Sequence, residues 1–343
     1  QECRAAREGV VVLDQSSFGK ILIQGADACV FLQHLCAGDV DVPVGKLIYT
    51  QLLNHRGGIE ADITVDRLAA DRYMIVSSAA THSRDLAWIE RHLVSADRVV
   101  VTDVTSAYAV LSVQGPRSRD LLASISDADL SNAAFPFLTS QEISIGYAPA
   151  IAKRVTFVGE LGWELYIPSE FAQGAFDTLT EAGQEFGLRL AGYHALEHLR
   201  CERAYREFGL DLAPDDTPFE AGLGFSVKMD KPGGFIGRDA LVSQRGKVLN
   251  KRLVMFKLAD PEVLLFHDEL IRLDGHIVGY ISSGAYSFTL GRSVGMGYVH
   301  QPDGVSLDLI NNARFEIEIA CERYPAAASL QAFFDPAGER LKR

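Results

Sequence analysis

The spacing of apolar residues predicts alternating strands and helices over the first two thirds of the chain. Strand-rich stretches are expected at Val10 to Leu13, Gly19 to Gln24, Leu47 to Leu53, Ile59 to Val65 and Val155 to Ile167. Helices are expected at Ala26 to Cys36, Phe171 to Phe186 and Tyr193 to Phe208. The third and fourth strands form a predicted hairpin, because Gly57 and Gly58 supply the positive φ that such a turn needs.

The pattern changes beyond Lys251, where short alternating strands follow one another without long helices. These strands are expected at Arg252 to Leu258, Glu269 to Leu273, Ile277 to Ser282, Gly295 to Val299 and Arg314 to Ala320. Such a series is typical of a small barrel or jelly roll. We therefore predict an α/β region over residues 1–245 and an all-β domain over residues 246–343.

One strand-to-helix pattern occurs twice in the α/β region. Ile21 to Gly25 ends in Gln-Gly before a predicted helix, and Leu111 to Gly115 ends in the same way before a second helix that starts near Pro116. A repeat of this kind indicates two related α/β halves, although five shared positions can also arise by chance.

Composition excludes several classes of protein. A length of 343 residues allows two or three domains, and the net charge of −12 argues against nucleic acid or an anionic membrane as the main partner. No apolar run is long enough for a membrane span. Five scattered cysteines favour a reducing compartment, so the expected location is cytoplasmic, with the mitochondrial matrix as the alternative. The start at Gln1 suggests a longer natural polypeptide or a processed one.

Several familiar motifs are absent or weak. No Gly-x-Gly-x-x-Gly follows a strand and no P-loop occurs, so an enclosed flavin or nicotinamide site is not expected. His194 and His198 match a His-x-x-Glu-His pattern and lie one helical turn apart. No acidic ligand is evident downstream, so we predict no metal site and interpret these residues as surface or capping histidines.

Two acidic positions could carry chemistry. Asp62 lies on a strand whose odd positions are apolar, so it shares a polar face with Glu60, Thr64 and Asp66. Repulsion between carboxylates on that face could raise a pKa and allow Asp62 to move protons on a bound amine. The alternative is a strand face exposed to solvent.

Glu164 stands out because its strand, Leu161 to Ile167, is otherwise apolar. A carboxylate buried there needs hydrogen-bond donors or a positive charge. A pterin ring offers two adjacent donors, its ring N–H and its exocyclic amine, whereas the alternative is an internal salt bridge.

Arg200 and Tyr49 are further candidates. Arg200 lies on the predicted long helix in line with Leu196 and Ala204, where it can pair with an acid or clamp an anionic group. A structural ion pair is the favoured interpretation. Tyr49 precedes the hairpin turn and is more often a core residue, although it could also form a flat wall for a heteroaromatic ring.

Taken together, these segments resemble the aminomethyltransferase family, the T-protein of glycine cleavage. The resemblance is carried by Tyr49 to Asp62, by Val158 to Glu164 and by Leu199 to Glu202. It continues in Asp216 to Leu223 and in Met296 to Val299. It implies an α+β fold, a three-domain clover-leaf with two α/β folate-binding domains and a C-terminal β-barrel.

The same resemblance implies roles for individual residues. Asp62 matches the family's catalytic aspartate, and Glu164 matches the glutamate that binds the pterin. Arg200 matches the folate-site arginine, and Tyr49 matches a tyrosine that packs on the ring. Phe157, which replaces the family's tyrosine before the glycine, is also assigned to the folate site.

Some positions differ from the glycine-cleavage enzyme, which has a tyrosine and an asparagine where this chain has Asp66 and Ser77. These differences put a lipoyl-protein partner in doubt. The start and the ending near Phe334 to Leu341 look like the region that follows the flavin domain in dimethylglycine and sarcosine dehydrogenases. FAD would then belong to an N-terminal flavin domain of the same polypeptide.

The resemblance implies a tetrahydrofolate-dependent one-carbon transferase that forms 5,10-methylenetetrahydrofolate from a small-molecule donor, an N-methylated amine or a glycine derivative. Two alternatives stay open. One is a folate-dependent O- or S-demethylase that gives 5-methyltetrahydrofolate, and the other is a folate-binding module without catalysis.

Overall fold

The computed structural model describes residues 1–342, which form two α/β halves and a β-barrel. The helices are α1 (Glu2–Glu8), α2 (Ala28–Leu35), α3 (His82–Arg91), α4 (Ser118–Ala123), α5 (Ala172–Gly183), α6 (Tyr193–Glu202), α7 (Arg238–Gln244) and α8 (Leu307–Asn312). The strands of the halves are β1 (Val11–Asp14), β2 (Gly19–Gln24), β3 (Leu47–Leu53), β4 (Ile59–Ala69), β5 (Arg72–Ser77), β6 (Val100–Asp103), β7 (Tyr108–Gln114), β8 (Ser140–Ile145), β9 (Ala148–Lys153), β10 (Gly162–Pro168) and β11 (Arg189–Leu190).

The first half is a five-stranded sheet in the order β3-β4-β5-β2-β6. Its apolar face is covered by α2 and α3, and the core between them includes Leu32 on α2, Ile63 on β4, Ile75 on β5 and Ile89 on α3. The alternating pattern of β4 sends its apolar side chains into this core. The polar side chains of β4 therefore point to the opposite face of the sheet.

The second half is a six-stranded sheet in the order β11-β1-β7-β10-β9-β8. Trp163 on β10, Val113 on β7 and Leu179 on α5 belong to its core. Strand β1 comes from the N-terminus of the chain but lies in this second sheet, beside β7. The two halves are therefore intertwined rather than consecutive.

Both halves follow the same connection, a strand, a helix, three antiparallel strands and a second helix. In both, the last of the three strands pairs with the first strand, so β5 lies beside β2 and β10 lies beside β7. Gly25 and Gly115 end the two first strands with φ of +135° and +127°, a region that favours glycine. This shared topology supports the prediction of two related halves.

The C-terminal strands close into a barrel. They are β12 (Lys251–Leu258), β13 (Leu270–Leu273), β14 (His276–Ser287), β15 (Arg292–His300), β16 (Phe315–Ile319) and β17 (Glu322–Ser329). Their order around the barrel is β12-β15-β14-β13-β16-β17. Strand β17 was not predicted, because its run of three alanines lacks a period-two pattern. The α+β fold class with a terminal barrel is confirmed, while the domain boundary near residue 245 stays a prediction.

Two element predictions were wrong in part. The helix expected from Tyr193 to Phe208 ends at Glu202, and Ala204 follows with φ of +55°, which an α-helix does not allow. The strand-rich stretch expected from Val155 contains a strand only from Gly162 onward. Within residues 1–342, no helix has both the length and the apolar character needed to cross a membrane.

Candidate functional site

Asp62 lies on the polar face of β4 and is held there by the neighbouring strand. Gln51 on β3 is its register partner and donates a hydrogen bond from Nε2 to Oδ1 at 2.8 Å. Ser226 donates to Gln51 Oε1 at 2.6 Å, which turns the amide N–H2 group towards Asp62. The carboxylate therefore has a defined position before any ligand binds.

The surroundings of Asp62 change its acidity. Burial raises the pKa of Asp62 to about 6, while hydrogen bonds from Gln51 and Tyr49 and the positive charge of Arg206 act in the opposite direction. A carboxylate with a pKa close to the working pH can both accept and return a proton. The sequence suggested a raised pKa only from the repulsion between like charges on one strand face.

Tyr49 lies on the same face as Gln51, because the two residues are two positions apart on β3. Its ring stacks on Phe225, with centroids 6.1 Å apart and an interplanar angle of 26°. Phe225 is 77% exposed, so the pair presents an aromatic surface beside Asp62. Phe225 was not singled out from the sequence, since it comes from a loop distant along the chain.

Glu164 lies on β10 and is 9% exposed. Tyr166 donates a hydrogen bond from its hydroxyl to Oε2 at 2.9 Å, whereas Oε1 accepts no hydrogen bond within residues 1–342. Burial raises the pKa of Glu164, and the bond from Tyr166 and the charge of Lys153 lower it. One oxygen of a buried carboxylate is thus left for an external donor, which fits the edge of a pterin.

Asp62 and Glu164 face the same interface between the two sheets. Asp66 shares the face of β4 with Asp62 and forms an ion pair with Lys153 of the second sheet at 3.3 Å. Lys153 is in turn the register partner of Glu164. The two acids are therefore not on opposite outer surfaces, and their functional roles stay predictions.

Arg200 is placed differently from the two acids. Its Nη1 donates to Asp211 at 2.7 Å and its Nη2 donates to Glu197 at 2.7 Å and to Ser283 at 2.9 Å. The guanidinium is 1% exposed, and its remaining donors bond Glu197 and the carbonyl of Tyr205. All five N–H groups are used within the protein, which favours the structural ion pair over contact with a ligand.

Arg206 is the arginine whose positive charge lowers the pKa of both Asp62 and Tyr49, against the effect of burial. Its Nε and Nη1 donate to the carbonyls of Ala221 at 3.1 Å and Ala204 at 2.7 Å. No carboxylate of residues 1–342 forms an ion pair with it. Arg206 was not singled out from the sequence, because a continuous helix was predicted where the chain in fact turns and presents this side chain.

Phe157 stacks on Tyr205, with centroids 6.0 Å apart and an interplanar angle of 16°. It also packs against the cluster that joins α1 and α6. No hydrogen bond or ring contact connects it with Asp62 or Glu164 in the described part of the chain. Its assignment to the folate site stays a prediction.

The remaining candidates have structural partners. Glu60, which shares the polar face of β4, forms an ion pair with Arg84 on α3 and accepts a hydrogen bond from Asn54. His198 contacts the carbonyl of Tyr286 through Nδ1 at 2.9 Å. Among residues 1–342, no group of three or more histidine, cysteine or acidic side chains is arranged to hold a metal ion.

Family models match both parts of the chain. The GCVT N-terminal domain matches residues 1–231, and the glycine cleavage T-protein C-terminal barrel domain matches residues 251–335. The solved aminomethyltransferase T of the glycine cleavage system from Bartonella henselae has the same fold, with a TM-score of 0.85 and 23% identity. That alignment covers 98% of this chain and 89% of the other.

Longer relatives match the chain throughout. The 4-methylaminobutanoate oxidase (formaldehyde-forming) of Paenarthrobacter nicotinovorans is 42% identical over 100% of this chain and 41% of its own length. The mitochondrial sarcosine dehydrogenase of Homo sapiens is 38% identical over 100% of this chain and 39% of its own length. The chain thus spans about two fifths of the length of these relatives.

These matches define the class of protein. The chain belongs to the folate-dependent aminomethyltransferase family. Within that family it resembles a portion of enzymes whose names refer to N-methylated amines, among them sarcosine dehydrogenase.

Proposed function

We propose that the chain binds tetrahydrofolate and transfers to it a one-carbon unit at the oxidation level of formaldehyde, forming 5,10-methylenetetrahydrofolate. The donor proposed is an iminium ion or formaldehyde derived from an N-methylated amine or a glycine derivative. The observation that carries the proposal is the pair of acids, Asp62 and Glu164, which face one interface between the two sheets. The choice of folate as the ligand rests on the family relationship.

Glu164 is proposed to hold the edge of the pterin. Its free Oε1, together with the Oε2 already bonded by Tyr166, can accept the ring N–H and the exocyclic amine side by side. Tyr49 and Phe225 add an aromatic wall next to Asp62. Arg206, which lacks a carboxylate partner in residues 1–342, provides a positive charge for an anionic part of the ligand.

Asp62 is proposed to handle the proton. When bound, tetrahydrofolate supplies two nitrogen nucleophiles for the carbon. If formaldehyde is the donor, the second product is water. If an iminium ion is the donor, the other products are the free amine and a proton. The Asp62 carboxylate accepts the proton lost by the nitrogen that becomes bonded to carbon. Gln51 keeps Oδ1 in place during this step, and a pKa of about 6 leaves most Asp62 side chains ionised at neutral pH.

The relatives are longer than this chain, and the source of the one-carbon unit is proposed to lie in their additional part. A flavin domain with FAD in the same polypeptide is proposed as the partner that would oxidise the amine. The names of the relatives, a formaldehyde-forming oxidase and a sarcosine dehydrogenase, support this proposal.

The product distinguishes the candidate functions. The chain is incubated with tetrahydrofolate and formaldehyde, and separately with O- and S-methyl donors, and the folates are separated by chromatography. We expect 5,10-methylenetetrahydrofolate from formaldehyde at a rate above the uncatalysed condensation. Formation of 5-methyltetrahydrofolate would instead indicate a demethylase, and binding without any acceleration would indicate a folate-binding module.

A further inference from the structure

A buried ion pair connects the two halves of the molecule. Asp66 on β4 and Lys153 on β9 are both 0% exposed, and Lys153 Nζ lies 3.3 Å from Asp66 Oδ2. Ser140 donates a hydrogen bond to Asp66 Oδ1 at 2.6 Å. Removing two charges from water is costly, and such a pair is weak evidence for stability by itself. Its position suggests a further role.

The lysine of this pair stands beside the candidate pterin-binding acid. Lys153 and Glu164 are register partners on β9 and β10, so their side chains point to the same face. Lys153 Nζ lies 4.1 Å from the centroid of the Tyr166 ring, and the Tyr166 hydroxyl donates to Glu164. Asp66, Lys153, Tyr166 and Glu164 thus form a continuous series of polar contacts.

Each element packed around Glu164 contributes an identifiable group. Strand β7 places the neutral Ser112 opposite Glu164, and β9 places Lys153 there. The first sheet contributes Asp66, whose charge is directed to Lys153, and the neutral Met74, whose sulfur lies 3.5 Å from Lys153 Nζ. Lys153 is therefore the positive charge that favours the ionised form of Glu164.

We propose that Lys153 and Asp66 are positioning residues that determine how strongly Glu164 holds the pterin edge. The positive charge of Lys153 keeps Glu164 a carboxylate in a buried place, and a carboxylate accepts two parallel donors where a carboxylic acid cannot. Asp66 partly offsets that positive charge. This inference rests on the proposed function, because it assumes that Glu164 binds a pterin.

The two ends of the ion pair should have opposite effects. Lys153→Met removes the positive charge, so the pH below which folate affinity is lost should increase, and binding at neutral pH should weaken by roughly 10-fold. Asp66→Asn leaves Lys153 without its counter-charge, so that pH should decrease. A purely structural ion pair would destabilise the fold in both variants and leave this pH unchanged.

The experiment is a titration with folinic acid between about pH 5 and pH 8.5, followed by intrinsic fluorescence, with thermal unfolding measured in parallel. Lys231→Met is the matched control, because Lys231 is also a buried lysine, bonded to the carbonyls of Cys36 and Gly38. It should lose stability without shifting the pH dependence. Lys153→Arg keeps the charge and should restore the parent profile.

Three outcomes are decisive. Opposite shifts for Lys153→Met and Asp66→Asn support the inference. Shifts in the same direction, or none, overturn it while leaving folate binding intact. If Lys153→Met fails to fold, Lys153→Gln provides the second test, since it also removes the positive charge beside Glu164 and should increase the pH at which affinity is lost. A parent chain that binds no folinic acid at any pH refutes the proposed function itself.

Discussion

Gln51 donates a hydrogen bond to Asp62 across the β3–β4 hairpin at 2.8 Å, and the two residues are direct register partners. The hairpin thus carries both the carboxylate of Asp62 and the amide of Gln51 that orients it. Because Ser226 fixes the other end of the amide, the arrangement does not depend on a ligand. Asp62 and Gln51 are therefore preorganised for proton transfer.

Asp62→Asn should slow product formation strongly and preserve folate binding. The amide cannot accept the proton, so the rate should fall by about 10²–10⁴-fold, while folinic acid affinity changes by no more than about 3-fold. Turnover with formaldehyde and folinic acid titration measure the two effects. Asp71→Asn, an exposed acid in the turn between β4 and β5, is the control and should behave as the parent. Equal turnover in both variants would remove Asp62 from the mechanism.

The pH dependence of turnover should reflect Asp62. Its pKa is raised to about 6, and the proposed proton acceptor is the ionised form. The rate should therefore be level above about pH 7 and fall as the pH decreases through about 6. Gln51→Ala removes a hydrogen bond that favours the ionised form, so the decrease should begin at higher pH. Gln184→Ala, an exposed glutamine, should leave the profile unchanged, and an unchanged profile in Gln51→Ala would contradict the assignment.

The two arginines should separate into a structural and a binding role. Arg200→Leu leaves Glu197 and Asp211 without their partner and should lower the free energy of unfolding by about 3–5 kcal/mol. Arg206→Gln should leave the melting temperature nearly unchanged and weaken folinic acid binding by roughly 10-fold. Thermal unfolding and ligand titration of both variants test this. The reverse result would restore Arg200 as the folate-site arginine.

The aromatic wall should contribute to affinity rather than to folding. Phe225 is 77% exposed and stacks on Tyr49, so Phe225→Ala should weaken folinic acid binding by roughly 10-fold with little change in stability. Phe288→Ala is the matched control, since Phe288 is 58% exposed and lies on the barrel. If both variants bind as the parent does, the wall is not part of the site.

Many strands and helices could be predicted because the order of apolar and polar residues within each segment indicates them. The strand Gly19 to Gln24 and the first hairpin strand have the predicted bounds, since short apolar runs that end at turn residues act over neighbouring residues. Of the two turn glycines, Gly57 has the predicted positive φ, at +83°, whereas Gly58 does not. The helix ending was missed at Glu202, where Arg200 bonds the carbonyl of Tyr205 and turns the chain. That turn depends on distant acids and leaves no periodic signal.

The sequence by itself determined the family and the fold class, because motifs and alternation are properties of neighbouring residues. It also singled out Asp62 and Glu164, whose roles stay predictions. Only the tertiary structure decided that Asp66 pairs with Lys153 and that the donors of Arg200 are used by Glu197, Asp211, Ser283 and the carbonyl of Tyr205. It also decided that the charge of Arg206 acts on Asp62 and that Phe225 stacks on Tyr49. These contacts join residues far apart in the chain. Hydrogen bonds and charges act through space, so their partners emerge only when the two sheets and the barrel pack together.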